Sequence, residues 1–440
     1  MHRCLYIQEI VCAITGFLYS SPNPRRRALA SMAQTCQALK EPALNQLWYG
    51  LDDSLLPLLK LFPGDLWIIR LSEGGDGTEI FHFTRVLQPE DWDRFTHYAV
   101  KIRRIVHCYD PTVHPTICHS AFLALSVQRS AVHGQLLPNL KMLRWKDSRP
   151  DVLSFIRLFI HEKLVMLRIG EPATDSSTET FTSLLKTLPI SCPHLIDLSV
   201  RAISGSELSF MTTASCSSRR SVPFARMKRL ILCPPGWVSA QGLRFIGSLE
   251  YLQEAMLMYN SSVPLAFPSG VPQFTSLRQL CVAISYLSER SPILELIDAL
   301  SPTVIETLRL SITTRCAPSS VYRVCIFIAK LSSLKHLRFF MDWVEPPPDL
   351  PSYTEDFLGL VQVSHIAPLR ALPHLEVLEI ISPALSISNQ FIHAIARAPR
   401  ALTRYSWCTI RSTKRGDSTV TPPPRQKMSP SEPCRCLSLH

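Results

Sequence analysis

Leu140-Lys141-Met142-Leu143-Arg144-Trp145 and the next such stretch, Leu164-Val165-Met166-Leu167-Arg168-Ile169, share one pattern: leucine, two residues, leucine, one residue, apolar. The pattern recurs at Leu195-x-x-Leu198-x-Val200, Met227-x-x-Leu230-x-Leu232, Leu252-x-x-Ala255-x-Leu257 and Leu277-x-x-Leu280-x-Val282. It continues at Ile305-x-x-Leu308-x-Leu310, Leu334-x-x-Leu337-x-Phe339, Leu375-x-x-Leu378-x-Ile380 and Leu402-x-x-Tyr405-x-Trp407. The interval between copies varies, shortest from Leu140 to Leu164 and longest from Leu334 to Leu375. The alternating end of each copy suits a short strand with one side in a core. Pro138, Pro193, Pro373 and Pro399 precede the first apolar position by two or three residues, where a turn enters the strand.

Between the copies lie apolar residues three and four apart, as on one face of a helix. They occupy Val152–Phe159, Phe181–Leu188, Ile293–Leu300, Tyr322–Leu331 and Phe391–Ala396. A helix and a short parallel strand, repeated over residues 136–410, predict a stacked α/β solenoid with its parallel sheet on the concave side. The pattern resembles the irregular, helix-containing leucine-rich repeats, although the Asn or Cys that usually closes their strand motif is mostly absent. In such an array the x positions face outward and recognise partners. Lys141, Arg144, Asp197, Lys228, Arg278, Gln279, Lys335, His336, Glu376 and Glu379 hold those positions. The substrate contacts expected from them are Arg144, Asp197, Lys228, Arg278, Lys335 and Glu376.

Residues 1–65 lack the repeat. Three short helical patterns follow one another: Ile7, Ile10, Val11, Ile14 and Leu18 on one face; Leu29, Met32, Ala33, Cys36 and Leu39; and a third starting at Pro42 with Leu44, Leu47, Trp48 and Leu51. So thin a core gains stability by docking an apolar face on a partner. Glu9-Ile10, Ala28-Leu29-Ala30 with Thr35-Cys36-Gln37-Ala38-Leu39, and Pro42-Ala43-Leu44 with Leu47-Trp48 resemble an F-box, in particular the F-box-like domains of basidiomycete fungi. Leu55-Leu56-Pro57-Leu58-Leu59, Pro63-Gly64-Asp65-Leu66-Trp67, Phe83-Thr84-Arg85 and Pro89-Glu90-Asp91-Trp92-Asp93-Arg94-Phe95 resemble that group's usual continuation.

The resemblance implies binding to the Skp-type adaptor of a cullin–RING ubiquitin ligase, with a protein substrate held by the repeats. The adaptor contacts it implies are Leu5, Ile7, Ile10, Val11, Ile14, Leu29, Met32, Cys36, Leu47 and Trp48. One departure stands out: the proline expected before Glu9 is Gln8, which removes a fixed dihedral at the helix start. The second reading is therefore a leucine-rich scaffold with a degenerate F-box and no ubiquitin role.

Residues 66–135 are expected to form a helical linker or cap, with Pro89–Ile105 a single helix. Glu90 and Asp91 suit the positive end of that helix, and Arg103 and Arg104 the other. Ser204–Ser221 reads as a loop insertion, Pro346–Tyr353 as an extended surface loop, and residues 411–440 as a disordered, basic, proline-rich tail.

The formal net charge is +11, but residues 401–440 hold seven Arg/Lys against Asp417 and Glu432, a net of +5. The body is mildly basic, with no lysine stripe of the kind a nucleic-acid groove shows. No window approaches the roughly 18 continuous apolar residues of a membrane span. Ile10–Tyr19 superficially mimics a signal peptide, yet Gln8 and Glu9 precede it and no small-x-small cleavage site follows. The 14 cysteines have no repeated spacing, and Cys12, Cys233, Cys281 and Cys325 lie in apolar sequence, as expected of a reducing, cytoplasmic or nuclear compartment.

Chemistry is sparse. There is no lysine-bearing phosphate loop, glycine-rich dinucleotide turn, serine elbow or paired histidine motif. Asp91-x-Asp93 reads as a helix cap. His107, Cys108, His114, Cys118 and His119 are close together, but their spacing fits no zinc finger, and Pro111 and Pro115 suggest a histidine-rich loop. The expectation is a protein-binding protein without catalytic residues, cofactor or metal, and without nucleic-acid or membrane partners.

Overall fold

A computed structural model describes residues 7–20, 26–72, 77–132, 134–170, 178–201, 224–233, 238, 240–259, 273–284, 287, 292–300, 304–312, 318–341, 361–382 and 404–408. Leu5, Ser204–Ser221, Pro346–Tyr353, Phe391–Ala396 and residues 411–440 lie outside them.

Three helices open the chain: α1 (Gln8–Ser20), α2 (Arg26–Thr35) and α3 (Gln37–Leu47). Val11, Leu29 and Ala43 are buried between them, with Thr15 donating its hydroxyl to the Val11 carbonyl at 3.0 Å. The second helix ends earlier than its apolar spacing suggests. Cys36 is extended (φ −161°, ψ 160°), so the third helix begins at Gln37 and carries Pro42 inside it rather than at its start. Pro42 has no N–H to give to the preceding turn, and the helix accommodates that loss.

The chain then enters β1 (Gly50–Leu51), β2 (Trp67–Leu71), β3 (Glu79–Phe83), β4 (Arg104–Cys108) and β5 (Thr116–Ile117). Ten further strands follow. They are β6 (Met142–Lys146), β7 (Met166–Ile169), β8 (Asp197–Arg201), β9 (Arg229–Cys233) and β10 (Glu254–Tyr259), then β11 (Gln279–Ile284), β12 (Thr307–Ile312), β13 (His336–Met341), β14 (Val377–Ile381) and β15 (Arg404–Cys408). Every one of the ten leucine patterns coincides with a strand. Twelve strands form one sheet in the order β1-β4-β6-β7-β8-β9-β10-β11-β12-β13-β14-β15, and each pair is parallel. The fold is thus α/β, with helices in many of the connections between parallel strands.

The register is uniform. Leu143, Leu167, Leu198, Leu230, Ala255, Leu280, Leu308, Leu337 and Leu378 sit side by side across the strands, all buried. One backbone carbonyl sets the entry of each large-sheet strand from β4 to β14. Lys141 O accepts N–H bonds from Val165 (2.9 Å) and Met166 (3.0 Å); Arg278 O does the same for Glu306 and Thr307, both 2.9 Å. The carbonyls of Arg103, Val165, Ile196, Lys228, Gln253, Glu306 and Lys335 repeat this arrangement. Before many of the motifs a tight turn returns an N–H to the carbonyl three residues earlier, as in Leu140 to Leu137 and Leu277 to Phe274. Phe224 and Phe274 make this turn with φ of 57° and 56°, a left-handed conformation rare for bulky residues, while their rings stay buried.

Upstream of residue 136 the structure differs from expectation. Pro89–Ile105 is not one helix: a 3₁₀ turn Pro89–Asp91 leads into the helix Trp92–Ala99, and Arg104 and Ile105 already belong to β4. Residues 66–135 therefore hold strands as well as helices, including the small sheet of β2, β3 and β5. The large sheet begins earlier than the leucine motif, because Ile102-x-x-Ile105-x-His107 is an eleventh copy with histidine in its last apolar slot. His107 and Cys108 are consequently in a strand and His119 opens the helix His119–Val132, so the expected loop narrows to residues 109–115, where Pro111, His114 and Pro115 lie. Asp91 does cap its turn, accepting from Gln88 N–H at 2.7 Å while Arg85 holds both carboxylate oxygens at 2.7 and 2.9 Å. That pairing lowers the Asp91 pKa, and burial works against it.

Candidate functional site

Helix α1 divides its apolar residues between two directions. Val11 and Thr15 face the module interior, whereas Ile7, Ile10 and Ile14 are exposed, at 47, 38 and 40%. Phe17 extends the same stripe and is 77% exposed. The spacing 7, 10, 14, 17 keeps these four side chains within one narrow arc of the helix. The expected single face of Ile7, Ile10, Val11, Ile14 and Leu18 is thus split, because three short helices have room to bury only part of it. Phe17 was legible as apolar but falls outside the F-box correspondence. Gln8 is the first helical residue, and Val11 N–H reaches Ile7 O at 3.2 Å, so the helix starts without the proline.

Of the other expected adaptor contacts, Leu29 is completely buried and so serves the module's own core. Met32, Cys36 and Leu47 are half-buried. Trp48 packs on the larger core, its ring 4.7 Å from that of Tyr98. Cys12 is exposed on α1, contrary to its apolar sequence context, whereas Cys325 is buried as expected and Cys281 half-buried. Among the described residues of the module, Ile7, Ile10, Ile14 and Phe17 are the most exposed large apolar side chains.

A charged joint fixes the module to the sheet. Asp52 pairs with both Arg26 of α2 and Arg104 of β4. Lys101 donates to Glu41 (2.7 Å) and Asn45 (2.8 Å) of α3. Tyr19 of α1 lies against Tyr49 and beneath the Arg104 guanidinium, and burial, aided by Asp52, pushes its hydroxyl above the usual tyrosine range. A Cβ on Gly50 would stand 2.4 Å from the Tyr19 hydroxyl, so glycine permits this close approach.

The outward face of the large sheet is the second surface. Its middle row, in register, reads Val106, Arg144, Arg168, Ser199, Ile231, Met256, Cys281, Arg309, Arg338 and Glu379. Only some of the expected substrate contacts lie here. Arg144 is exposed on this face. Asp197 is on it too but is only 6% exposed, held by Arg168 at 2.8 Å and Arg229 at 3.8 Å, so it is an internal counter-ion and not an open contact. Lys228, Arg278, Lys335 and Glu376 lie one residue upstream of their strands, along the entry edge. There Arg278 and Lys335 flank Glu306 at 3.4 and 3.9 Å, and Glu376 meets His336 at 3.7 Å. Gln279, His336 and Glu379 do occupy the strand face, the last bonded to Arg338 at 2.7 Å.

Behind the sheet one ionic cluster is enclosed. His107 Nε2 lies 3.3 Å from Asp147, whose carboxylate is also gripped by Arg149 at 2.6 Å. Arg149 donates to Ile117 O as well, at 3.0 Å, so the cluster ties the small sheet to the large one. Burial alone would raise the Asp147 pKa, but the bonds from His107 and Arg149 win and hold it down to about 2. Among the described residues no group of three or more His, Cys, Asp and Glu side chains is placed to hold a metal ion. Among them no helix is long and apolar enough to cross a membrane. No protein-family model matches the chain, and no curated protein matches it.

Proposed function

We propose that the chain is the substrate-receptor subunit of a cullin–RING ubiquitin ligase. In this reading residues 1–65 are an F-box that docks on a Skp-type adaptor, and the repeats form a leucine-rich solenoid that holds a protein substrate. The carrying observation is the stripe Ile7, Ile10, Ile14 and Phe17, left exposed on a module too small to bury it. The sequential order of parallel strands supports the solenoid, since each unit then contacts only its neighbours. The joint around Asp52 would fix the distance between adaptor and substrate, and catalysis would belong to other subunits. No side chain here acts on a substrate bond in this mechanism; positioning is the whole contribution.

The test is capture of a purified Skp-type adaptor by the full chain, beside an Ile10→Asp/Ile14→Asp double variant. Capture by the native chain and its loss in the folded variant support the reading. A folded native chain that captures nothing refutes it. The second reading, a leucine-rich scaffold with a degenerate F-box, would then stand, and Gln8 in place of proline is the observation that favours it.

A further inference from the structure

The middle row of the outward sheet face places like charges directly opposite one another twice. Arg144 on β6 is in register with Arg168 on β7, and Arg309 on β12 with Arg338 on β13. Such neighbours repel, and a face selected for stability alone would avoid them. In each pair one arginine is neutralised, Arg168 by Asp197 and Arg338 by Glu379. No carboxylate of the described residues pairs with Arg144 or Arg309. Between the pairs the row holds Ser199 and then three half-buried, mainly apolar side chains, Ile231, Met256 and Cys281. Five strand steps separate Arg168 from Arg309 and six separate the unpaired Arg144 from Arg309, about 24 and 29 Å at the usual spacing of roughly 4.8 Å.

We infer that this row binds a protein segment with an apolar centre and an anionic group at each end, carboxylates or phosphoserines, spaced about 24–29 Å apart. The inference rests on the substrate-receptor reading and names its substrate class. Charge complementarity selects the occupant. The face carries unneutralised guanidinium groups at both ends of an apolar strip, and an arginine fork suits an oxyanion. The chain's own residues 411–440, with six Arg/Lys against Asp417 and Glu432, carry the wrong sign of charge to occupy it.

The experiment is fluorescence anisotropy with the full chain, in the absence of any adaptor, and synthetic peptides as probes. The first probe has Glu-Glu at each end of seven leucine, valine and threonine residues, with a phosphoserine-ended twin. The second has the same centre with Lys-Lys ends, and the third has Glu-Glu ends around glycine and serine. The proposal expects either version of the first to bind and the other two to be at least tenfold weaker. Arg144→Glu and Arg309→Glu should each weaken binding about tenfold, and Ile231→Gln should weaken it too. Because each reversal sets a glutamate opposite an arginine, the melting temperature should hold or rise, which a structural role for these arginines would not allow.

No binding of the first probe by folded native chain overturns the inference. Equal binding of a single-stranded oligonucleotide, insensitive to Ile231→Gln, overturns it as well and marks a general polyanion surface. Binding that appears only after Asp342, Glu345, Asp349, Glu355 and Asp356 are neutralised would make the chain's own acidic stretch the occupant, which also overturns it. Adaptor capture through α1 is read separately, so failure here leaves that result untouched, and the reverse holds.

Discussion

Arg149 grips Asp147 in a fork, its Nε 3.0 Å from one carboxylate oxygen and its Nη2 2.6 Å from the other, while the Asp147 side chain has no exposure to solvent. With His107 on the same carboxylate, the charged form is stabilised enough to keep the pKa at about 2. The folded value lies below the unfolded one near 3.8, so this contribution is complete above pH 4 and is lost as the pH falls from about 4 to about 2. The shift corresponds to about 2 kcal/mol. Urea denaturation at pH 5 and pH 2.5 should show the native chain losing that increment and Asp147→Asn losing little. Equal losses in both would refute the assignment.

Within α1, adjacent apolar residues should behave in opposite ways. Ile14→Asp and Phe17→Asp alter an exposed stripe and should leave stability within about 0.5 kcal/mol. Val11→Asp puts an unpaired carboxylate into the module interior and should unfold it. Limited proteolysis reads the difference: a stable Ile14→Asp chain and rapid cleavage before residue 50 in Val11→Asp. Cleavage of both would place the stripe inside.

Asp197 and Lys228, both expected to be substrate contacts, should separate on alanine substitution. Removing Asp197 leaves Arg168 without its counter-ion, while Arg229 keeps Glu254 at 2.9 Å, and should cost about 1–2 kcal/mol, moderated by partial exposure. Lys228→Ala should cost under about 0.5 kcal/mol. Chemical denaturation decides, and equal effects would mean that Asp197 is not structural.

The joint between module and sheet predicts a local rather than a global defect. Asp52→Ala removes the partner of both Arg26 and Arg104. Hydrogen exchange should accelerate in residues 8–47 while the amides of β6–β14 keep their protection. Uniform acceleration would mean that module and sheet unfold as one unit.

Two thiols report the same openings. Burial pushes Cys192 and Cys325 up to about 12, so at pH 8 both are protonated as well as enclosed. Alkylation at pH 8 should modify exposed Cys12 first and reach Cys192 and Cys325 only on unfolding. Early modification of Cys325 would contradict its burial.

The strands were legible because a short parallel strand with one buried side leaves a local signature, and all ten leucine motifs carry it. The eleventh, Ile102-x-x-Ile105-x-His107, escaped because a histidine fills a slot that composition reserves for leucine. Only the distant Asp147 explains why it is tolerated there. Pro89 and Glu90 mark a helix start correctly, but nothing local marks its end at Ala99. That end follows from Tyr49 O capturing the N–H groups of Arg103 and Arg104 and drawing them into β4. The candidate surfaces were half legible. Arg144 was visible as an exposed strand position, whereas the burial of Asp197 depends on Arg168 and Arg229, which belong to the strands on either side of it. The opposition of Arg144 to Arg168, or of Arg309 to Arg338, is a matter of register, which no single stretch of chain contains.

The single carbonyl that receives two N–H groups at each large-sheet strand entry from β4 to β14 has a consequence for how this chain can change. The motif at Leu164 follows closely on the one at Leu140, while a much longer connection separates Leu334 from Leu375, yet both connections arrive at the same two-donor joint. Length between joints is therefore nearly free, and insertions can be carried outside the sheet. Phase is not free. A slip of one residue at any joint would turn that strand over, exchanging its leucines for its arginines. Variation in this chain should accumulate as whole loops gained or lost, and hardly ever as single residues added within a strand.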